Sequence, residues 1–202
     1  MLSKGGTNMK RILLLGFVLL MISGAVCAQL PPIGTIGLFA DEGRTTWCAT
    51  GAGPPPPYYA VEMWIWCLPN NLGMMCAEFM LAYPDPSLVI KSTVTQNDSV
   101  CVALGTLDTG MSVCFCTCQW DWIWPFHQTL YVAPGTKMYI EIVVHPDPFI
   151  KDVQFANCEP GLPIEPVHIF SNLYLNYDAS EPECGEPGTR EATWGAIKSM
   201  YR

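Results

Sequence analysis

The stretch MSVCFCTCQWDWIW, residues 111–124, decides the fold of this chain. Along its first eight residues apolar side chains and Thr117 alternate with a serine and three cysteines, a period of two that an extended strand produces. One face of such a strand needs an apolar core, whereas the other face carries sulfur and needs thiol partners. Residues 111–123 are therefore predicted to form a strand of a disulfide-linked sheet.

Similar alternating segments recur along the chain, and turn residues separate them. Two of the longer segments, Tyr59–Leu68 and residues 74–83, flank a Pro/Asn/Gly turn at residues 69–73. No segment between strands is long enough for a crossover helix, which argues against a parallel sheet. About ten strands with this spacing predict an all-β fold, an antiparallel β-sandwich or jelly roll.

The N-terminal residues 1–28 have the three regions of a signal peptide. Lys10 and Arg11 precede an apolar run at residues 12–22, and Val26 and Ala28 occupy the small-residue positions before a cleavage site. The run is too short to span a bilayer comfortably. We therefore expect export, to the medium or the cell envelope, and no transmembrane segment after cleavage. Residues 29–177 are predicted to form one β-sandwich domain.

The charge of the chain excludes two classes of partner. All 18 acidic residues follow the predicted cleavage site, whereas three of the 10 basic residues precede it. A strongly acidic domain is repelled by nucleic acids and by anionic membrane surfaces. We expect neither as a partner.

The last 25 residues differ in composition from the rest. Residues 178–188 are rich in acid, proline and glycine and are predicted to be a tether. Residues 189–202 predict a short amphipathic helix with Trp194, Ile197 and Tyr201 on one side. This helix is either a separable docking element or a cover for an open edge of its own sandwich.

Nine of the ten cysteines remain after the predicted cleavage, and in an exported chain they indicate disulfides, with one thiol left over. The candidates are Cys48, Cys67, Cys76, Cys101, Cys114, Cys116, Cys118, Cys158 and Cys184.

Two interpretations of the cysteine strand are open. Cys114, Cys116 and Cys118 could form a soft-metal site with His127 and His145. Disulfides are favoured, because alternate residues of a strand are about 6.5 Å apart and each reaches a different neighbouring strand more easily than a common ion. We therefore expect no metal and no cofactor.

Two particular pairings follow from position in the chain. Cys67 and Cys76 flank the turn at residues 69–73 and could bridge a hairpin, and Cys158 is the favoured partner of Cys118.

The end of the same strand carries a row of tryptophans. Trp120, Trp122 and Trp124 are predicted to share one face, with Asp121 beside them. Such a row can hold a sugar or an aromatic partner. The alternative is that these indoles cover the sheet or contact a neighbouring subunit.

Catalytic motifs are missing from the sequence, which contains no nucleophile elbow, zinc-protease motif or phosphate-binding glycine loop. Carboxylates for glycosidase-like chemistry are present, but three of them, at positions 62, 78 and 141, fall on outward phases of their strands. These carboxylates are Asp41, Glu42, Glu62, Glu78, Glu141 and Glu165. We expect that the protein is not an enzyme; the alternative is a secreted glycoside-active enzyme that uses a surface carboxylate pair.

Three segments resemble known proteins. Residues 73–84, GMMCAEFMLAYP, resemble the third-strand region of cohesin-like and carbohydrate-binding sandwiches. Residues 34–41, GTIGLFAD, and residues 193–202, TWGAIKSMYR, resemble the opening and closing segments of a group of secreted bacterial proteins without an assigned activity. The resemblance implies an extracellular sandwich with a shared C-terminal device, and it implies no catalytic residues.

These observations predict a secreted or cell-surface module that is not catalytic. Its role would be binding, adhesion or assembly, and its partner an extracellular protein or a polysaccharide.

Overall fold

The computed structural model describes residues 33–50 and 58–184 of the chain. The predicted signal peptide, residues 1–28, and the predicted C-terminal helix, residues 189–202, lie outside the described residues and stay predictions. Within the described part, no helix is long and apolar enough to cross a membrane.

The described residues form thirteen strands and one short 3-10 helix, and this confirms the predicted all-β fold. The strands are β1 (Thr35–Phe39), β2 (Cys48–Ala49), β3 (Tyr59–Leu68), β4 (Met74–Ala82), β5 (Val89–Gln96), β6 (Val100–Thr106), β7 (Gly110–Gln119), β8 (Ile123–Val132), β9 (Met138–Val143), β10 (Gln154–Ala156), β11 (Ile164–Pro166), β12 (His168–Ser171) and β13 (Leu173–Leu175). The 3-10 helix is Pro182–Cys184.

Two sheets form the sandwich. The first sheet has the order β12-β1-β3-β8-β5. The second has the path β11-β10-β4-β9-β13-β2, with β7 paired to β4 and β6 paired to β7. The pairs are antiparallel except for two, β1 with β12 and β13 with β2. Both parallel pairs join a strand near the start of the described residues to one near their end, so neither pair is built by a direct crossover helix.

The core lies between the two sheets and follows the alternation of the sequence. On β3, Val61, Met63 and Ile65 point inward, and on β4, Phe79 and Leu81 meet them from the other sheet. Each of these side chains is at most 6% exposed. The outward positions of β3 and β4 are thereby left for contacts other than the core.

Four disulfides link the described residues, and this confirms that the sandwich is disulfide-linked. The pairs are Cys48–Cys184, Cys76–Cys114, Cys101–Cys116 and Cys118–Cys158. The three cysteines of β7 therefore each reach a different partner: β4, β6 and the segment after β10. Because all three sulfurs are bonded to other sulfurs, they do not coordinate a metal, and no group of three or more His, Cys, Asp or Glu side chains in the described ranges could hold one.

The expected bridge between Cys67 and Cys76 is wrong. Cys67 lies on β3 in the first sheet and Cys76 on β4 in the second, so the turn between them crosses from sheet to sheet and is not a hairpin. Gly73 of this turn has φ 73°, and a methyl group there would come within 2.5 Å of the Cys118 sulfur. Cys67 is instead a free thiol buried in the core, and burial raises its pKa well above the ordinary value.

The first residues of the predicted tether are fastened to the sandwich. The Cys48–Cys184 disulfide joins this segment to β2, and the indole N–H of Trp47 donates to the carbonyl oxygen of Glu183 at 2.9 Å. Lys137 also forms an ion pair with Glu181. The covalent framework thus includes Cys184, whereas the sequence predicted the domain to end at residue 177.

Candidate functional site

The outer face of the first sheet carries an unusual concentration of aromatic side chains. Because inward positions of β3 and β8 fill the core, Trp64, Trp66 and His127 must point outward from the sheet. Together with Phe39, Trp122 and Trp124 they form what we call the aromatic face.

One half of the aromatic face is centred on Trp64. Trp64 and His127 are register partners on β3 and β8, and their rings stack with centroids 4.1 Å apart and planes at 22°. Trp124 meets Trp64 edge-on at 5.2 Å. The imidazole Nε2 is hydrogen-bonded to the carboxylate of Glu62, and the Thr129 hydroxyl donates to the same carboxylate at 3.1 Å. This half combines flat apolar rings with a fixed polar rim.

The other half is centred on Trp122. Its ring meets Trp66 at 6.5 Å and Phe39 at 6.3 Å, both near perpendicular. The guanidinium carbon of Arg44 lies 4.5 Å from the Trp66 ring centroid and 4.9 Å from that of Trp122. Cation–π attraction at such distances holds the guanidinium against both indoles. Phe39 is 1% exposed although it points away from the core, because Trp122 and Phe170 cover it.

The tryptophan row predicted from sequence takes a different form. β7 ends at Gln119 and β8 begins at Ile123, so Trp120 and Trp122 lie in the link between two strands and not on one strand. In this link the carboxylate of Asp121 accepts the backbone N–H of Trp122 at 2.7 Å, a local bond of the kind that competes with the sheet ladder. Trp120 is 55% exposed at the margin of the aromatic face.

Trp64, Trp66 and Arg44 were not named as site residues from the sequence, and Glu62 and His127 were named only for an acid–base pair and a metal site. Alternation within β3 already placed Glu62, Trp64 and Trp66 on one outward face, and this signal could have identified them. Arg44 and His127 carry no such signal, because their positions depend on a loop conformation and on strand pairing.

Two of the candidate carboxylates, Glu62 and Glu78, lie on opposite sides of the sandwich. Glu62 lies on the outward face of the first sheet and Glu78 on the outward face of the second, with the core between them. Glu78 accepts hydrogen bonds from Ser112 at 3.1 Å and Gln154 at 2.5 Å. Glu165 is likewise held, by Asn70 and Asn157. Glycoside hydrolysis needs two carboxyl groups within roughly 10 Å, flanking one bond.

Two cavities lie away from the aromatic face. The larger, about 550 Å³, opens between the edge strands β5 and β6. Tyr83 at its wall donates to the side-chain oxygen of Gln128 at 3.0 Å, and burial, with the nearby Asp108 charge, raises the pKa of Tyr83. The smaller cavity, about 240 Å³, lies beside Glu78 and the Cys76–Cys114 disulfide on the second sheet. Tyr83 and Phe126 are the aromatic residues at the wall of the larger cavity, and none lines the smaller one.

Comparison with solved structures returns cohesin modules, the family that residues 73–84 resemble. The seventh type I cohesin of ScaB from Pseudobacteroides cellulosolvens has a TM-score of 0.48 and 12% identity, over 74% of this chain and 95% of the cohesin. The cohesin module of a family 33 glycoside hydrolase from Clostridium perfringens has a TM-score of 0.46 and 10% identity, over 72% of this chain and 98% of the module. A type III cohesin from a cell-surface anchoring scaffoldin of Ruminococcus flavefaciens has a TM-score of 0.41 and 14% identity, over 75% and 91%.

Sequence comparison adds no family. No protein-family model matches the chain, and no curated protein matches it in sequence. The likeness to cohesins is at the level of the fold.

Proposed function

We propose that the protein is an exported, non-catalytic binding module that holds an extracellular polysaccharide on the aromatic face. The main support for this proposal is the outward cluster of four indoles and an imidazole on β3, β8 and the link before β8. Trp64, Trp122 and Trp124 are partly exposed, and a cluster of partly exposed aromatic rings often marks a contact surface.

A polysaccharide suits the chemistry of the half centred on Trp64. The C–H face of a sugar ring packs on an indole, and its hydroxyl groups donate to carboxylate oxygens. Glu62 offers such oxygens beside Trp64 and is held in place by His127 and Thr129. A protein partner is the second ligand class for this face, since Trp and Arg also dominate protein interfaces.

Two further observations support an extracellular location. The predicted signal peptide would send the chain out of the cytosol, and disulfides persist in the oxidising compartments beyond it. Eight of the cysteines in the described residues are in disulfides. A binding role without catalysis is supported by the carboxylates, since Glu62 and Glu78 are on opposite sides of the sandwich.

The test is binding of the full chain to a panel of soluble and insoluble polysaccharides, measured by affinity electrophoresis and pull-down. The variant W64A/W124A removes two adjacent rings of the aromatic face and should weaken binding at least tenfold, or about 1.4 kcal/mol. The matched control is Y139A, which removes a 46% exposed aromatic ring from the second sheet. It should bind within about twofold of the wild type.

Circular dichroism and melting temperature show that each variant is folded before its binding is compared. If no polysaccharide binds the wild type, or if Y139A loses as much binding as W64A/W124A, the proposal is wrong. Hydrolysis of a bound polysaccharide that disappears on a single carboxylate substitution would establish the enzymatic alternative.

A further inference from the structure

Arg44 differs from the other cations in the described residues. The other three each have an acceptor on the chain: Lys91 in Asp108, Lys137 in Glu181, and Lys151 in the Pro148 carbonyl. The guanidinium of Arg44 contacts two indole rings, and no described residue accepts a hydrogen bond from it. A half-buried guanidinium keeps five N–H donors to satisfy.

The carboxylate of Asp41, three residues before Arg44, is hydrogen-bonded to other groups of the same loop. Asp41 accepts hydrogen bonds from the backbone N–H groups of Thr45 and Thr46, both at 2.9 Å, and from the Thr45 hydroxyl. The carboxylate oxygens of Asp41 are thus hydrogen-bonded to groups within the loop. Arg44 itself has φ 60°, a left-handed conformation that costs a residue with a side chain about 1 kcal/mol or more. In this conformation the guanidinium lies over the aromatic face.

A second donor at the same place has no acceptor. The indole nitrogen of Trp66 is fully buried and makes no hydrogen bond to any described residue, and Trp66 as a whole is only 8% exposed. It belongs to one of the two rings that Arg44 contacts. A buried donor without a partner costs about 1–3 kcal/mol, so it is normally satisfied by a ligand or by water. Among the described residues, the Arg44 guanidinium and the Trp66 indole N–H are thus two neighbouring donors without an acceptor, as a site for an external acceptor requires.

We propose that Arg44, Trp66 and Trp122, which we call the arginine clamp, bind the carboxylate of a uronate ring in the polysaccharide. The inference rests on the proposed function and names its ligand class. The planar guanidinium matches a carboxylate with two parallel hydrogen bonds, and the adjacent indoles exclude water from one side of that pair. The uncharged part of the polymer then lies toward Trp64 and Glu62.

The net charge of the chain limits which acidic polysaccharides fit. With a formal charge of −8, the protein repels a densely charged polyanion at low salt. A polymer with isolated uronate residues brings one carboxylate to the clamp and keeps its neighbouring rings neutral. The clamp therefore selects sparsely acidic polysaccharides over both neutral polymers and polyanions such as heparin.

The test compares one polymer in two forms. Glucuronate-bearing xylan and the same xylan with its carboxylates reduced to alcohols are titrated into the full chain by calorimetry. The wild type should bind the carboxylate form about tenfold more tightly, the scale of one charge-assisted hydrogen-bonded pair. The R44N variant should bind both forms equally, and it should stay folded because Asn tolerates the left-handed conformation that Arg44 adopts.

The R44K variant keeps the charge without the planar fork and should retain only part of the preference. Equal affinity of the wild type for both forms, or a preference that persists in R44N, would overturn the inference.

A failure of the proposed function can be told apart from a failure of the clamp. If neither xylan binds, the indole N–H signals of Trp66 and Trp122 are followed by NMR during titration with sodium D-glucuronate and, separately, D-glucose. The clamp predicts shifts of these two signals with glucuronate alone, absent in R44N. No selective shift in the wild type rejects the clamp whatever the polymer results are.

Discussion

The outer faces of the two sheets use different chemistry. On the second sheet, outward positions of β4, β6 and β7 carry the disulfides Cys76–Cys114 and Cys101–Cys116, and Cys118–Cys158 joins the end of β7 to the segment after β10. On the first sheet, the outward positions of β3 and β8 carry indoles, an imidazole and a carboxylate, and its one described cysteine, Cys67, is a buried thiol.

The difference indicates that the second sheet contributes covalent stability and that the first sheet contributes the surface for a ligand. Covalent links hold the second sheet from outside, so its surface need not contribute apolar packing. The first sheet has no covalent link between its own strands among the described residues, and three indole rings on its outer face, those of Trp64, Trp122 and Trp124, are partly exposed. A domain stabilised by disulfides on one side can keep such rings available for a ligand on the other.

Removal of a disulfide from the second sheet should have the largest effect on the free energy of unfolding. The variant C118A/C158A opens a link across 40 residues and should lower the free energy of unfolding by about 2–5 kcal/mol. Binding to the aromatic face, measured well below the melting temperature, should change less than twofold. Calorimetric melting and polysaccharide affinity are measured on the same preparations.

The control for lost sulfur is C67A, which removes a core thiol without breaking a bridge. This substitution should lower the free energy of unfolding by about 1 kcal/mol, because it leaves a small cavity. A bridge variant that loses ligand affinity while still fully folded would show that the two faces are not independent.

Much of the sandwich follows from the sequence, because alternation identifies strands directly. Tyr59–Leu68 forms a strand with the bounds that the alternation predicts, and Cys118 pairs with the favoured Cys158. Alternation says nothing about which sheet a strand joins. For that reason the turn at residues 69–73 could be interpreted as a hairpin, although it crosses between sheets.

The candidate site was harder to predict for the same reason. The tryptophan row depended on one unbroken strand, and the local hydrogen bond of Asp121 to the backbone of Trp122 accompanies its break. Arg44 reaches the indoles only through a left-handed loop residue, a feature without a signature in the sequence.

The smallest expected effect on stability comes from an ion pair between the sheets. Lys91 on β5 of the first sheet binds Asp108, in the turn between β6 and β7 of the second sheet, at 2.6 Å. The hydrogen bonds from Lys91 and then Thr106 hold the pKa of Asp108 below its usual value. Stability from this group is therefore complete above the unfolded-state pKa near 3.8 and is lost as pH falls through the lower folded-state pKa.

The variant D108N should accordingly be less stable than wild type at pH 7, by less than about 1 kcal/mol because the pair is partly exposed. The difference should shrink below about pH 4, as both chains lose the charge. Urea unfolding at pH 7 and pH 3 measures it. A difference that grows toward low pH would contradict the assigned direction of the pKa shift.

Binding confined to the aromatic face is tested by an NMR map of backbone amides and indole N–H groups with a bound polysaccharide fragment. The largest shifts should occur on β3 and β8, at Glu62, Trp64 and His127, and in the indoles of Trp122 and Trp124. Signals of β4 and β7 beside the disulfides should stay within experimental error. Shifts concentrated around Glu78 on the second sheet, with the aromatic face unchanged, would contradict it.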